Sequence, residues 1–258
     1  MIAEYIINNG VAKIKFNRPD KFNSFTKELA FKVQGYLDEA ENDDAVRVIM
    51  LTGTGKAFCA GQDLAEATDP NGPPLKNIVG EHYNPIIHRL RKIEKPIIAA
   101  VNGVAAGAGA NIALACDIVI ATKSAKFIQA FSAIGLIPDS GGTYFLPRLI
   151  GKQKALALMM TGDRISAEEA EKMNMIYKAV EDDEFEDFIE GFTEKIATMP
   201  TYGLGLTKKA VNESFNNTLE EQLDLEEELQ FQAGQSHDFK EGTAAFLEKR
   251  KPKFTGKK

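Results

Sequence analysis

A glycine-rich turn and one acidic side chain, both between residues 96 and 142, could do chemistry. The apolar run Ile97 to Val101 breaks at Asn102-Gly103, and a Gly-Ala run at 107–110 leads into a second apolar segment. This is typical of a buried strand followed by a helix. Small residues admit a ligand close to the backbone, where the first helical N–H groups lack internal partners. With Asp139 further along the chain, the pattern predicts a cradle for a negatively charged oxygen beside one carboxylate.

Three other interpretations of these residues were weighed. A strand-to-helix turn rich in glycine and alanine can serve close packing alone. A dinucleotide site is disfavoured because the run at 107–112 lacks the third glycine of the fingerprint and no strand with a terminal acid follows at the expected distance. The sequence DSGG at 139–142 looks like a serine-protease nucleophile turn, but that chemistry needs an all-β barrel with an upstream histidine and aspartate. Ser140 is therefore predicted to be structural.

Length and composition predict one main domain with a large core. The chain has 258 residues, 44% of them hydrophobic. Its net charge of −6 argues against a nucleic-acid or membrane-surface binder, although the tail at 249–258 is locally basic. Cys59 and Cys116 are too few for a disulfide framework, so reduced, buried thiols are expected. With no targeting leader and no membrane-length apolar run, the expected location is the cytoplasm.

The surrounding elements alternate between strands and helices. A hairpin is predicted from Ile2 to Phe16 around Asn9-Gly10, followed by a helix from Thr26 to Ala40. Further predicted elements are strands at 46–52, 97–101, 117–121 and 175–180, and helices at 75–93, 144–150, 152–160, 184–198, 202–216, 219–234 and 239–248. Capping boxes are predicted at Ser166 with Glu169 and at Thr218 with Glu221. The segment Asp69 to Pro74 is predicted to be a mobile loop, and His82 and His88 fall on different helix faces, so no metal site is expected.

Four separated motifs together resemble the enoyl-CoA hydratase/isomerase (crotonase) superfamily. They are KAFCAGQD at 56–63, AVNG at 100–103, GLIPD at 135–139 and LPR at 146–148. The resemblance covers nearly the whole chain. It implies an α/β fold, with a crotonase-like spiral of strand-strand-helix turns at 1–200 and a C-terminal helical trimerisation region at 201–258. The implied assembly is a homotrimer or a homohexamer built as a dimer of trimers.

The resemblance also implies a site. In this superfamily two backbone N–H groups hold the thioester oxygen of an acyl-CoA, and the matching positions here are Gln62 and Ala108. Such donors stabilise the charge that develops on that oxygen when the adjacent carbon gains or loses a proton. The donors are main-chain groups, so no role is assigned to the Gln62 side chain. No separate cofactor is implied, because coenzyme A is part of the substrate.

The chain departs from the family pattern at two positions. Hydratases of the family use two glutamates to activate water, and the matching residues here are Asn111 and Phe131, neither of which is an acid or base. Asp139 remains, at the position where some isomerases and a dehalogenase of the family carry their acting carboxylate. One carboxylate suffices for isomerisation, because it can remove a proton at one carbon and return it at another.

A finer resemblance is to the branch of the family that isomerises ring-1,2-epoxyphenylacetyl-CoA to oxepin-CoA in phenylacetate breakdown. It rests on FCAGQDL at 58–64, the loop at 69–74, YGLGL at 202–206, QLDLE at 222–226 and FTGK at 254–257. The expected substrate-binding residues are Lys56, Ala60, Phe131, Ile134, Leu136, Phe246 and Lys249. Lys56 is expected to meet the phosphates of coenzyme A, and Phe246 and Lys249 to reach the nucleotide site of a neighbouring subunit.

Two alternatives stay open at this point. The first is an isomerase of Δ3,Δ2-enoyl or dienoyl thioesters in fatty-acid oxidation, or an enoyl-CoA hydratase. The second is a non-catalytic relative that binds CoA esters or RNA. The acidic net charge disfavours RNA, and the retained Asp139 disfavours a protein without activity.

Overall fold

The computed structural model describes residues 1–258, which form two β-sheets with helices packed around them. The strands are β1 (Ala3–Asn8), β2 (Val11–Phe16), β3 (Val48–Gly53), β4 (Ala57–Cys59), β5 (Ile97–Val101), β6 (Val104–Ala106), β7 (Ile118–Thr122), β8 (Lys126–Ile128), β9 (Arg164–Ser166) and β10 (Lys178–Val180). The larger sheet has the order β1-β2-β3-β5-β7-β10 and is parallel except for β1. The smaller sheet has the order β4-β6-β8-β9.

The helices follow pairs of strands. They are α1 (Lys27–Asn42), α2 (Leu64–Ala67), α3 (Leu75–Asn77), α4 (Asn84–Lys92), α5 (Ala108–Ala115), α6 (Gly142–Ile150), α7 (Lys152–Thr161), α8 (Ala167–Lys172), α9 (Phe185–Ala197), α10 (Thr201–Glu213), α11 (Leu219–Gln235) and α12 (His237–Leu247). Along the chain β3, β5 and β7 enter the larger sheet, whereas β4, β6 and β8 enter the smaller one. A helical segment separates each pair from the next, so the chain winds as a spiral of strand-strand-helix turns. The predicted fold class is confirmed.

Local sequence signals account for several boundaries. The hairpin turn uses Asn9 and Gly10, both at positive φ (48° and 79°), as a tight two-residue turn requires. The side chain of Thr26 caps α1 by accepting from the Leu29 N–H. The two predicted capping boxes are both present, at the start of α8 and of α11. The strands β3 and β5 are buried on both faces, as their uninterrupted apolar runs indicate.

The structure corrects the sequence analysis in three places. The short strands β4, β6, β8 and β9 were not predicted, although they form the whole smaller sheet. Three-residue strands are too short to show a period of two. The predicted helix at 75–93 is interrupted by a π-helical turn, Ile78–Tyr83. The predicted strand at 175–180 contains regular pairing only over β10, because residues 173–177 form turns.

The core places aromatic residues directly beneath the glycine-rich loops. The rings of Phe25 and Phe58 meet the ring of Phe16 edge-on at centroid distances of 5.2 and 5.3 Å, and all three are fully buried. Cys59 and Cys116 are free, buried thiols, as predicted. Burial raises the pKa of Cys59 to about 12, so this thiol is protonated at neutral pH and is not a nucleophile.

The C-terminal helices α10 to α12 expose many large apolar side chains. These are Val211, Phe215, Leu219, Leu223, Phe231, Phe239, Phe246 and Leu247. No helix of the structure combines the length and the apolar character needed to cross a membrane.

Candidate active site

The Gln62 amide N–H is aimed by the peptide bond that it shares with Gly61. The Gly61 carbonyl accepts a 2.7 Å hydrogen bond from the Phe25 N–H. In a planar trans peptide the N–H points opposite to the C=O, so the Gln62 N–H points away from the buried Phe25 backbone. It has no hydrogen-bond partner within the chain. Gly61 has φ +90°, a conformation that favours glycine and gives the loop this path.

The Ala108 N–H is the first helical donor of α5. Gly107 precedes it with φ +54°, and the Ala108 N–H likewise has no partner within the chain. The two donors are neighbours, because a Cβ atom added at Gly61 would lie 3.4 Å from the Ala108 nitrogen. A Cβ at Gly109 would lie 2.3 Å from the Cys59 carbonyl oxygen, so only glycine lets the β4 loop pack this closely on α5.

Asn111 ties the loop that carries Asp139 to the first turn of α5, which begins at Ala108. Its Nδ2 donates to the Asp139 main-chain oxygen at 2.9 Å, and its Oδ1 accepts from Gln129 Nε2 at 2.8 Å. Asn111 is fully buried. Ala108 and Asn111 are three residues apart and therefore share one helical face. The structure thus ties the main chain of Asp139 to α5, the helix that carries the unpaired Ala108 donor.

The Asp139 carboxyl group is half-buried and has no cationic partner. Its Oδ1 accepts from the Ser140 hydroxyl at 2.9 Å. Burial raises the pKa of Asp139, and the Ser140 hydrogen bond opposes that rise only in part. Ser140 is buried and has φ +50°, and its hydroxyl serves Asp139 rather than a histidine. A raised pKa makes the carboxylate a stronger base, which favours a role in accepting a proton and returning it.

The predicted wall residues differ in burial. Phe131 is buried, and its Cζ would lie 3.8 Å from a Cβ at Gly107, so its ring lies against the start of α5. Ile134 and Leu136 follow in the same segment and are 52% and 38% exposed. Ile137, next to Pro138-Asp139, is 81% exposed. The segment thus presents one buried ring and several exposed apolar side chains near Asp139.

The remaining predicted binding residues are not brought to one place in the single chain. Lys56 is exposed in the turn before β4, and Ala60 is partly buried just ahead of Gly61. Phe246 lies in a separate cavity formed by α11, α12 and the C-terminal tail, and Lys249 follows α12. The structure places the Gln62 loop and the Phe131 ring against the start of α5, and it links the Asp139 main chain to Asn111 of the same helix, whereas Phe246 and Lys249 lie elsewhere.

The sequence analysis missed two polar groups at this site. Asn111 was identified only as the residue that replaces an acid, whereas the structure shows it holding the Asp139 loop. Tyr83, on the π-helical turn, donates its hydroxyl to Gln62 Oε1 at 2.8 Å and is fully buried. Nothing in the local sequence distinguishes Tyr83 from other aromatic residues of a buried helix face. The chain brings together no cluster of three or more side chains suited to hold a metal ion.

Two unpaired, adjacent amide donors beside one carboxyl group can stabilise an oxyanion and move a proton on a neighbouring carbon. Comparison with known proteins agrees with that chemistry. Residues 6–257 match the family described as enoyl-CoA hydratase/isomerase. The chain therefore belongs to the enoyl-CoA hydratase/isomerase family and is an enzyme with the acyl-CoA isomerase or hydratase activity of the crotonase fold.

Individual relatives and structures match over the whole length. The 1,2-epoxyphenylacetyl-CoA isomerase of Escherichia coli (strain K12) is 49% identical over 262 residues, covering 99% of this chain and 100% of that protein. The trans-2-decenoyl-(acyl-carrier-protein) isomerase of Streptococcus mutans is 38% identical over 261 residues, covering 98% and 97%. The crystal structure of an enoyl-CoA hydratase from Bacillus anthracis superposes with a TM-score of 0.93 at 33% identity, covering all of both chains.

Proposed function

We propose that this enzyme converts ring-1,2-epoxyphenylacetyl-CoA to the ring-expanded oxepin-CoA. The observation that carries the proposal is the half-buried Asp139 carboxyl group, which has no cationic partner and whose main chain is hydrogen-bonded to Asn111 of α5, the helix that begins with the unpaired Ala108 donor. The 49% identity to an isomerase named for this thioester supports the choice of substrate. Asn111 and Phe131 supply no second acid or base, which favours isomerisation over addition of water.

In the proposed mechanism the thioester oxygen binds between the N–H groups of Gln62 and Ala108. These donors are fixed before the reaction and strengthen their hydrogen bonds as negative charge develops on the oxygen. Losing one such donor typically costs about 3 kcal/mol in the barrier. The donors therefore acidify the carbon next to the thioester.

Asp139 then acts as the single acid and base. Its carboxylate removes a proton from the carbon beside the thioester, and the electron pair delocalises onto the bound oxygen. The ring C–C bond of the epoxide opens as the π-electrons reorganise to the seven-membered ring. The protonated Asp139 returns the proton to another carbon, so no atom is gained or lost.

The apolar segment after Phe131 would enclose the ring of the substrate. Phe131 is the buried floor, and Ile134 and Leu136 have exposed surface available for contact. Excluding water from this region protects the intermediate and suppresses hydration. A hydratase remains the alternative, and it would need a water held opposite Asp139 by groups other than Asn111 and Phe131.

Coenzyme A would enter as part of the substrate, with no separate cofactor. Lys56 and Ala60 flank the outer side of the Gln62 loop, where the phosphates would lie. Phe246 and Lys249 would contribute from a neighbouring subunit in a homotrimer or a homohexamer. The exposed apolar side chains of α10 to α12 support such an assembly, because monomeric proteins seldom expose contiguous apolar patches of that kind.

Product identification tests the proposal. The purified protein is incubated in D₂O with ring-1,2-epoxyphenylacetyl-CoA, crotonyl-CoA and a 3-enoyl-CoA in parallel, and the products are analysed by chromatography and mass spectrometry. We expect the epoxide to give an isomer with no added water, in which solvent deuterium appears only to the extent that the protonated Asp139 exchanges with solvent before it returns the proton. A product heavier by one water, from crotonyl-CoA in particular, would identify a hydratase. No turnover of the epoxide would reject the proposed substrate.

Asp139→Asn is the matching variant, with Asp20→Asn on the exposed surface as its control. General acid and base catalysis contributes about 10² to 10⁴ in rate, so turnover of Asp139→Asn should fall by that factor while thioester binding is retained. Asp20→Asn should match the wild type. Wild-type turnover by Asp139→Asn would reject the assigned role.

A further inference from the structure

The side chain of Gln62 is hydrogen-bonded at both ends, to the buried Tyr83 and to the partly exposed Glu66. Its Oε1 accepts from the Tyr83 hydroxyl at 2.8 Å, and its Nε2 donates to Glu66 Oε2 at 3.0 Å. Glu66 in turn accepts from the Lys27 N–H at the start of α1, at 3.0 and 3.1 Å. The side chain of Gln62 is therefore bound directly to the π-helical turn and to α2, and through Glu66 it is linked to the start of α1.

The π-helical turn accounts for the position of Tyr83. A π-helical turn inserts extra chain into an α-helix, and such turns occur frequently at functional sites. Here the turn ends at Tyr83 and α4 begins at the next residue. The Tyr83 ring packs against Phe25 at a centroid distance of 5.9 Å. Burial, with the negative charges of Asp139 and Glu66 adding to it, raises the Tyr83 pKa well above its ordinary value, so its hydroxyl stays a hydrogen-bond donor.

The Gly61–Gln62 peptide bond needs this external support. Gly61 has φ +90° and no side chain of its own, so it restrains the peptide plane less than any other residue would. The Phe25 N–H holds the plane at the Gly61 carbonyl. On the other side of the Gln62 Cα, the main chain is held by the Asp63 N–H bond to the Phe25 carbonyl at 2.8 Å and by the Arg18 ion pair with the Asp63 side chain at 2.8 Å. The Gln62 side chain adds its bonds to Tyr83 and Glu66.

We propose that Tyr83 is a positioning residue for the reaction: its hydroxyl holds the Gln62 side chain so that the Gln62 main-chain N–H stays directed at the thioester oxygen. The inference rests on the proposed function, because it concerns the donor that polarises the thioester. Tyr83 itself touches neither the thioester oxygen nor the proton that Asp139 transfers. Its effect is on the strength of a hydrogen bond made by another residue.

The test compares Tyr83→Phe with a matched control, Tyr5→Phe. Both changes remove one phenolic hydroxyl, and the Tyr5 hydroxyl is buried without a partner in β1, remote in sequence from the site loops. Phenylacetyl-CoA labelled with ¹³C at the thioester carbonyl is bound to each protein, and the C=O stretch is measured by infrared difference spectroscopy. A hydrogen bond to that oxygen lowers the frequency of the stretch, so the shift reports the donors without requiring turnover.

We expect the wild type and Tyr5→Phe to show the same lowered frequency, and Tyr83→Phe to show a smaller shift. In kinetics with the epoxide, kcat of Tyr83→Phe should fall about tenfold with KM nearly unchanged, since complete loss of a donor costs about 10² to 10³. A frequency in Tyr83→Phe equal to that of the wild type overturns the inference, whatever happens to turnover. An unshifted carbonyl in the wild type overturns the proposed function and, with it, this inference.

A second variant covers the case in which Tyr83→Phe does not fold. Gln62→Met keeps the main-chain N–H and removes the side-chain hydrogen bonds to Tyr83, Glu66 and the Asp63 carbonyl, so it should show at least as large a change in the shift and in kcat as Tyr83→Phe. The double variant should lose no more than Gln62→Met alone, because the hydroxyl acts only through the Gln62 side chain. Additive losses would show that Tyr83 acts directly, which contradicts a positioning role.

Discussion

Replacing Asn111 with leucine removes the side chain that supports the Asp139 loop and leaves Asp139 itself unchanged. Leucine has nearly the branched shape of asparagine but offers no donor to the Asp139 carbonyl and no acceptor to Gln129. Both of those hydrogen bonds are short, at 2.9 and 2.8 Å, and the side chain is fully buried. The space is tight, because a Cβ at Gly142 would lie 2.3 Å from Asn111 Nδ2. The change therefore alters polarity with little freedom to rearrange.

The expected loss of stability follows from the two partners. The Asp139 carbonyl keeps a second hydrogen bond from the Gly142 N–H at 2.8 Å, so losing the Asn111 donor costs about 1 kcal/mol. Gln129 is 2% exposed, and its Oε1 already lacks a partner. Leaving its Nε2 unpaired as well costs a further 1 to 3 kcal/mol, roughly. The free energy of unfolding should thus fall by about 2 to 4 kcal/mol.

The expected loss of activity is larger than the loss of stability suggests. A displacement of about 1 Å at a catalytic group can reduce the rate about 100-fold, and the Asp139 loop would lose its link to α5. Urea unfolding gives the stability, and turnover of the epoxide below the unfolding range gives the activity. The control is Thr193→Val, which removes the buried Thr193 hydroxyl bond to Ile189 in α9. That variant should lose about 1 kcal/mol and no activity. Equal activity in Asn111→Leu and the control would refute the reasoning.

Two further predictions concern buried charges. At pH 7 Asp139→Asn should raise the thermal unfolding midpoint, because burial raises the pKa of this carboxyl group and so disfavours its charged form in the fold. The gain should vanish near pH 3, which is below the aspartate pKa of about 3.9 in the unfolded chain. Thermal scans at both pH values measure the gain, and an equal gain at pH 3 and pH 7 would contradict the prediction. Lys208→Met should lower the free energy of unfolding by about 3 kcal/mol, because it removes the cation that lies 2.9 Å from Asp117. The Lys208 and Asp117 side chains are 8% and 18% exposed, and the Asp117 carboxylate then keeps the hydrogen bond from the Ile97 N–H at 2.8 Å. Adding Asp117→Asn should restore part of the lost free energy of unfolding, as measured by urea unfolding. No recovery would show that the unpaired Asp117 charge is not the cause of the loss.

Much of the fold could be predicted because it follows from local signals. The Asn9-Gly10 turn, the Thr26 cap and the two capping boxes act within a few residues, and the structure has each of them. The smaller sheet could not be predicted in the same way. Its strands have three residues each and pair with segments far along the chain, so their stability comes from the spiral rather than from their own sequence.

The candidate site shows the same division. The glycine turn and Asp139 were evident from residue type and order, because few arrangements need small residues before a helix and one acid after it. The Tyr83 contact with Gln62 was not, since it depends on a π-helical turn that shifts the register of a helix whose apolar pattern reads as continuous. Periodicity can indicate which face of a helix is buried, but it does not reveal one additional residue within a turn.

The position of Asn111 joins the two main conclusions about this chain. The resemblance places a water-activating glutamate of hydratases at this point of α5, and a carboxylate there could not donate to the Asp139 carbonyl. Asn111 stands at this position instead, and its Nδ2 holds the Asp139 loop by a hydrogen bond of 2.9 Å to the Asp139 main-chain oxygen. Reverting it to a carboxylate would also place a second negative charge near Asp139 and raise the pKa of that group further. Under the proposed function, having asparagine rather than glutamate at residue 111 therefore has two effects. It removes a group that would activate water, and it keeps the Asp139 carboxyl group in place to act as the acid and base.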